Sequence, residues 1–186
     1  MGETPGLGRS VCTVGHGTLS KEAFSALVAN AGVREIVDVR SFPGSRRNPQ
    51  FGTEQLARWL PEHDIGYRWM RDLGGRRKPV SPSRHVGLRH PAFRAYADYM
   101  DTPPFNAAVI ELAAGADGRA VMCSESVWWR CHRRLLGDHL TLLEGIEVTH
   151  LMHDGRRMPH ALTDAVRRDG NRLTYDVGAT PPLPAI

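Results

Sequence analysis

The feature that most constrains this chain is an alternation of short β-branched runs with segments of helical length. The runs are "VCTVG" (11–15), "REIVDV" (34–39), "IGYRWM" (65–70), "RAVMC" (119–123) and "IEVTHLM" (146–152), each of strand length. Between them lie helix start and stop signals. Ser20 is placed as an N-cap with Leu19 and Phe24 as a hydrophobic staple, and Gly32 closes that helix. Thr53 is placed as a second N-cap, for a helix running to about residue 63. Helical patterns follow at 91–101 and 104–114, separated where Pro103 and Pro104 force a break, and at 131–144 before Gly145. Strands alternating with helices imply an α/β fold of three layers: a mostly parallel sheet with helices on both faces, in a single domain. At 186 residues the chain can bury a substantial core.

The organised part spans 11–152, and 153–186 reads as a C-terminal extension, partly frayed. A short helix is expected there at 160–168, then a strand at "RLTYDV" and a proline-containing tail. No apolar run approaches the roughly 18 residues of a membrane span, so no membrane partner is expected. The N-terminus lacks a basic-then-apolar signal layout. Three cysteines are too few, and odd in number, for a disulfide framework. These features point to a cytoplasmic protein, and nothing among them fixes an oligomeric state.

In a parallel sheet ligands bind beyond the carboxyl ends of the strands. Four unusual segments lie at those ends: "GHG", "DVRSFPGSRRNPQF", "RDLGGRRK" and "CSESVWWRCHRR". They are expected to converge on one pocket, bringing His16, Arg40, Cys123, Glu125 and His132 together. Net charge is +4, and Lys21 and Lys78 are the only lysines. Arginine supplies a planar fork suited to phosphate or carboxylate, so the expected partner is nucleic acid or a phosphorylated small molecule. Arg40, Arg46, Arg47, Arg76, Arg77, Arg130 and Arg133 are the candidates to hold it. Asn48 adds an amide, Phe51 and Trp128 are candidate stacking rings, and His16 sits between glycines where backbone approaches a ligand closely.

The segment at 123–134 carries the candidate chemistry. Cys123 ends a strand before a helix start, where a thiol becomes more acidic and nucleophilic; the competing reading, a small buried hydrophobe, is the commoner state of a cysteine. Glu125 is a candidate general acid or base, or else orients an arginine. His132 lies on the inward face of the following helix, as a base for Cys123 or as a buried hydrogen-bonded histidine. Asp38, in "DVR", is a further acid/base candidate or simply the partner of Arg40. The cysteines at 123 and 131 lack paired Cys-x-x-Cys spacing, so no metal is expected, and no cofactor motif is present.

Together "TVGHG", "IVDVRSFPGSRRNPQF", "GYRWM", "DLGGRR", "FRAYADYM" and "AVMCSESVWWRCHRRLLGDHL" resemble, in order, the domain of unknown function 488 family over about residues 11–152. Gly17 stands where many members have serine, and Ser124 where alanine is usual. The resemblance implies a single α/β domain; some members carry a DNA-repair label, and the family name supplies no activity. A looser likeness is to rhodanese-type sulfurtransferases, which also pair a "DVR" strand with a later strand, cysteine, arginine-closed loop and helix. Here the loop from Cys123 to Arg130 is longer and lacks glycine. The leading expectation is an enzyme processing nucleic acid or a nucleotide, with base removal in DNA repair or another hydrolysis as its chemistry. The alternatives are a thiol-dependent enzyme using Cys123 and a non-catalytic nucleic-acid-binding module.

Overall fold

A computed structural model describes residues 8–44 and 46–179. Its frame is a six-stranded sheet in the order β3-β2-β4-β1-β5-β6. The strands are β1 (Ser10–Gly15), β2 (Glu35–Asp38), β3 (Gly66–Trp69), β4 (Arg119–Cys123), β5 (Glu147–Leu151) and β6 (Arg157–Pro159). The first five run parallel and β6 closes one edge antiparallel to β5. Helices α1 (Lys21–Asn30), α2 (Thr53–Trp59), α3 (Pro91–Tyr99), α4 (Pro103–Ala114) and α5 (Arg133–Leu142) cover it. Among the described residues no helix is long and apolar enough to cross a membrane.

Alternation along β1 separates the two faces. Cys12 and Val14 point to the layer holding α1 and α2, where Phe24, Val28, Leu56 and Trp59 are buried. Val11 points to the opposite layer, built from Tyr96, Phe105, Leu112, Leu135 and Leu140 of α3, α4 and α5. The sheet is therefore buried on both sides, as its nearly continuous apolar strands require. The three-layer α/β single domain expected from the sequence is the one observed.

The strand order creates a switch point. β1 and β4 are neighbours, with Gly15 opposite Cys123. The helix after β1 packs on one face and the helix after β4 on the other. Their carboxyl ends therefore open into a crevice that neither helix fills.

Local signals explain most boundaries. Ser20 Oγ accepts from the Ala23 amide at 3.1 Å, and Gly32 takes the left-handed φ of +69° after the helix. Three expectations change. Thr53 is the first helical residue with Gly52 in the cap, and the helix ends at Trp59 rather than near 63, since Pro61 starts a separate 3-10 turn. The last helix begins at Arg133 rather than 131, because residues 128–130 form a separate 3-10 turn. The helix expected at 160–168 is absent. In its place β7 (Val166–Asp169) pairs antiparallel with β8 (Arg172–Tyr175). The physical cause is the two-residue Gly170–Asn171 turn, with Gly170 at φ +61°, a geometry that joins strands and stops a helix. β8 buries Leu173 and Tyr175 against the α3–α5 layer. The tail at 180–186, expected to fray, lies outside the described residues.

Candidate functional site

A pocket of about 460 Å³ occupies the crevice, and its lining includes His16, Arg40, Cys123, Glu125, Cys131 and His132. Residues from the loops after β1, β2 and β4 thus meet in one cavity. Arg76 and Gly75, from the loop after β3, complete the wall, with Phe42 and Arg130. Glycines make this convergence possible. A methyl group on Gly15 would overlap the backbone carbonyl of Glu125, and one on Gly75 would run into the His132 ring. The "GHG" and "LGG" segments are therefore close-approach sites for backbone and imidazole.

At the pocket floor two thiols and an imidazole converge. The ligating atoms of Cys123, Cys131 and His132 all lie within 4.8 Å of one another. His132 Nδ1 is 3.5 Å from the Cys131 sulfur and 4.0 Å from that of Cys123. His132 Nε2 is buried with no hydrogen-bond partner among the described residues. Arg133 Nε donates to the Cys131 sulfur at 3.5 Å. Burial pushes the Cys131 thiol up, but the hydrogen bond from Cys123 and the Arg133 guanidinium outweigh it and bring the group down to about 6. Hydrogen bonding to Cys131, with burial, pushes Cys123 up to about 12. With the Arg133 guanidinium donating to its sulfur, Cys131 is the favoured seat of the pair's thiolate. The same three atoms are close enough to ligate a soft cation, but the adjacent guanidinium opposes positive charge there and favours a bare thiolate.

Arg133 is buried, 1% exposed, so it does not reach a ligand. Its guanidinium donates to the Glu125 carbonyl and to Thr13 Oγ1, fixing the loop after β4 against β1. Behind it runs a buried hydrogen-bond chain. Thr13 Oγ1 lies 2.7 Å from His150 Nδ1, His150 Nε2 lies 3.0 Å from His160 Nδ1, and His160 Nε2 donates to Asp138 at 2.9 Å. Burial, His160 and Arg133 push His150 down to about 3, so its imidazole is neutral. Asp138 also accepts from the Thr163 amide and the Tyr175 hydroxyl.

Asp38 and Arg40 form a second fixed unit. Asp38 is buried; it accepts the Arg40 amide at 3.0 Å, Nε at 2.8 Å and Nη2 at 2.6 Å, and the Tyr67 hydroxyl at 3.0 Å. These four contacts use its lone pairs, so Asp38 orients Arg40 rather than transferring protons. Arg40 donates onward to His16 Nε2 at 3.2 Å. His16 Nδ1 donates to the Gly17 carbonyl at 2.9 Å, and burial with the neighbouring Arg40 holds the imidazole neutral, its pKa lowered to about 4.

Other candidates lie elsewhere. Phe51 is buried, stacked on His16 at 4.2 Å, and Trp128 is buried, stacked on His150 at 4.0 Å; neither offers a free face to a base. Arg77 folds its own loop, donating to the carbonyls of Gly74, Arg71 and Asp72 while lying 3.4 Å over the Tyr99 ring. Arg46 and Arg47 are exposed, and neither they nor the half-buried Asn48 line the pocket. Arg76 and Arg130 are exposed at its mouth; among the described residues neither guanidinium is in an ion pair. Glu125 is exposed in the wall and accepts weakly from the Val127 amide at 3.4 Å.

Sequence reasoning missed Cys131 as the acidic thiol. It also missed Phe42, 62% exposed at the mouth, and the Thr13–His150–His160–Asp138 chain. The available signal for Cys131 was its place between Arg130 and Arg133, two cations within three residues of one sulfur.

Fold and site together define a three-layer α/β protein with a thiol- and arginine-lined pocket at the switch point of its sheet. The chain belongs to the family of the domain of unknown function DUF488, whose family model matches residues 20–140. No curated protein and no solved structure matches it.

Proposed function

We propose that this protein is a thiol-dependent enzyme acting on a small anionic molecule held in the pocket, with Cys131 as nucleophile. The observation that carries this reading is the Cys131 sulfur beside Arg133, Cys123 and His132 at the floor of a cavity with Arg76 and Arg130 at its mouth. A thiolate stabilised by a neighbouring cation is the reactive form of cysteine. Arg76 and Arg130 would attract and orient an anionic group. Glu125, in the wall, is placed to exchange a proton with the substrate.

Alkylation tests this directly. Cys131 should react with iodoacetate at pH 7 faster than Cys12, whose thiol burial pushes up. Anionic iodoacetate should gain on neutral iodoacetamide at Cys131, and Arg76→Ala with Arg130→Ala should erase that gain. Labelling of Cys131 no faster than Cys12 would refute the reading.

A nucleotide or nucleic-acid substrate is the second reading. Exposed Phe42 favours it, a stacking surface at the pocket mouth on the same loop as Arg46 and Arg47. Hydrolytic base removal, as in DNA repair, would then use Glu125 as acid or base. A steep salt dependence of DNA or RNA binding, flattened by Arg46→Ala with Arg47→Ala, would support it.

A further inference from the structure

We propose that Cys123 and Cys131 work as a dithiol pair that reduces a small carboxylate-bearing disulfide by thiol–disulfide exchange, Cys131 attacking and Cys123 resolving. This rests on the thiol reading above and names its substrate class. A nucleophile alone does not account for the second sulfur. Cys123 comes from the end of β4 and Cys131 from the turn before α5, yet their sulfurs lie within 4.8 Å of each other. Both are free thiols, and both line the pocket. His132 faces the two sulfurs with one nitrogen, so a proton leaving Cys123 has an acceptor at the point where a second sulfur–sulfur bond would form.

The step balances without another redox centre. The Cys131 thiolate attacks one sulfur of the disulfide, forming a protein–substrate disulfide and expelling the first substrate thiolate. Cys123 then attacks Cys131, passing its proton to His132. The Cys123–Cys131 disulfide forms, and the second substrate thiolate leaves, taking the proton from His132. The protein pair is oxidised by two electrons as the substrate disulfide is reduced to two thiols. Two equivalents of a low-molecular-weight monothiol close the cycle by reversing the exchange at the protein disulfide and leave as their own disulfide. The carboxylate requirement follows from Arg76 and Arg130 at the mouth, whose forks match that group. Arg133 serves the attacking sulfur alone: it is buried and donates to Cys131.

The probe is 5,5′-dithiobis(2-nitrobenzoate), a carboxylate-bearing disulfide, added to the native full chain. Wild-type protein should release two thionitrobenzoates per chain in one fast process and finish with Cys123 joined to Cys131, without adduct, in peptide mapping. Cys123→Ala and Cys123→Ser should each release one and keep the adduct on Cys131. Cys131→Ala should react at least about tenfold more slowly, as expected for losing the more acidic thiol. A neutral dipyridyl disulfide should lose its handicap against the carboxylate probe in Arg76→Ala with Arg130→Ala. A stable adduct on wild-type Cys131 would overturn the dithiol inference while leaving the thiol reading intact. Failure of Cys131 to react faster than Cys12 would sink both.

Discussion

Arg133 carries a guanidinium into the interior and is paired there with a sulfur rather than a carboxylate. Burying an arginine is costly unless its donors are engaged, and here they reach Cys131, Thr13 and the Glu125 carbonyl. That arrangement separates two cysteines eight residues apart into a thiolate and a thiol. Arg133→Met should therefore raise the pH midpoint of Cys131 alkylation above about 6, toward the ordinary cysteine value near 8.5. Arg133→Lys should recover part of that shift, since lysine keeps the charge but loses the fork. Alkylation rates across pH 5 to 9 check both, and an unchanged midpoint in Arg133→Met would show that the guanidinium does not set the thiolate. The sequence placed Arg133 among the phosphate holders because it belongs to the basic cluster of "WWRCHRR". What it could not reveal is that the helix begins at Arg133, turning this side chain back toward β1.

Among the elements, those with strong local signals were legible and those depending on pairing were not. The five parallel strands and α1, α3 and α4 follow from apolar runs, the Ser20 cap and the Pro103–Pro104 break. β7 and β8 were obscured because "HALTDAVRR" also spaces apolar residues as a helix does. The Gly170–Asn171 turn decides against it, and the inward face of β8 supplies Leu173 and Tyr175. Phe51 and Trp128 were misjudged for a related reason: an aromatic beside arginines gives no hint of which face is covered. Convergence on the pocket was legible because strand ends in a parallel sheet share an edge. The hairpin is tied to α5 through Tyr175, whose hydroxyl donates to Asp138 at 3.1 Å. Tyr175→Phe should cost about 1.5–3 kcal/mol, the usual worth of a hydrogen bond to a charged group. Asp138→Ala should cost more, because Tyr175, His160 and Thr163 all lose their acceptor. Urea unfolding measures both, and equal stability of Tyr175→Phe and wild type would mean the hairpin is held by packing alone.

At the scale of the whole molecule, the price of bringing several histidines into the interior is sensitivity to acid. Burial, with Arg40 beside it, lowers His16 to about 4. Burial lowers His139 to about 4, and burial with His160 and Arg133 lowers His150 to about 3. The unfolded chain protonates these groups near pH 6.5, whereas the folded protein resists until far lower pH. Between those limits the unfolded state binds more protons, so stability falls as pH falls. Three such groups give a slope of up to about 4 kcal/mol per pH unit, enough to exhaust a typical stability of about 5–15 kcal/mol within a few units. Cys131 acts in the same direction at higher pH. Its depressed folded value means that its contribution is present above the ordinary cysteine range and is lost as pH falls toward about 6. Cys123, pushed up to about 12, reverses the trend in alkali, where the unfolded chain alone gives up that proton. Stability should therefore peak between neutrality and about pH 9 and decline steeply below about pH 6.5. His139 contacts Phe105 and stands apart from the pocket residues, which makes His139→Gln the cleanest probe. That variant should lower the acid slope by about one proton, roughly 1.4 kcal/mol per pH unit, while leaving Cys131 alkylation unchanged. Urea midpoints followed by circular dichroism from pH 4.5 to 9 give the profile. A flat curve between pH 7 and 5 would show that these histidines reach water, and with it the buried chain behind Arg133 would lose its physical basis.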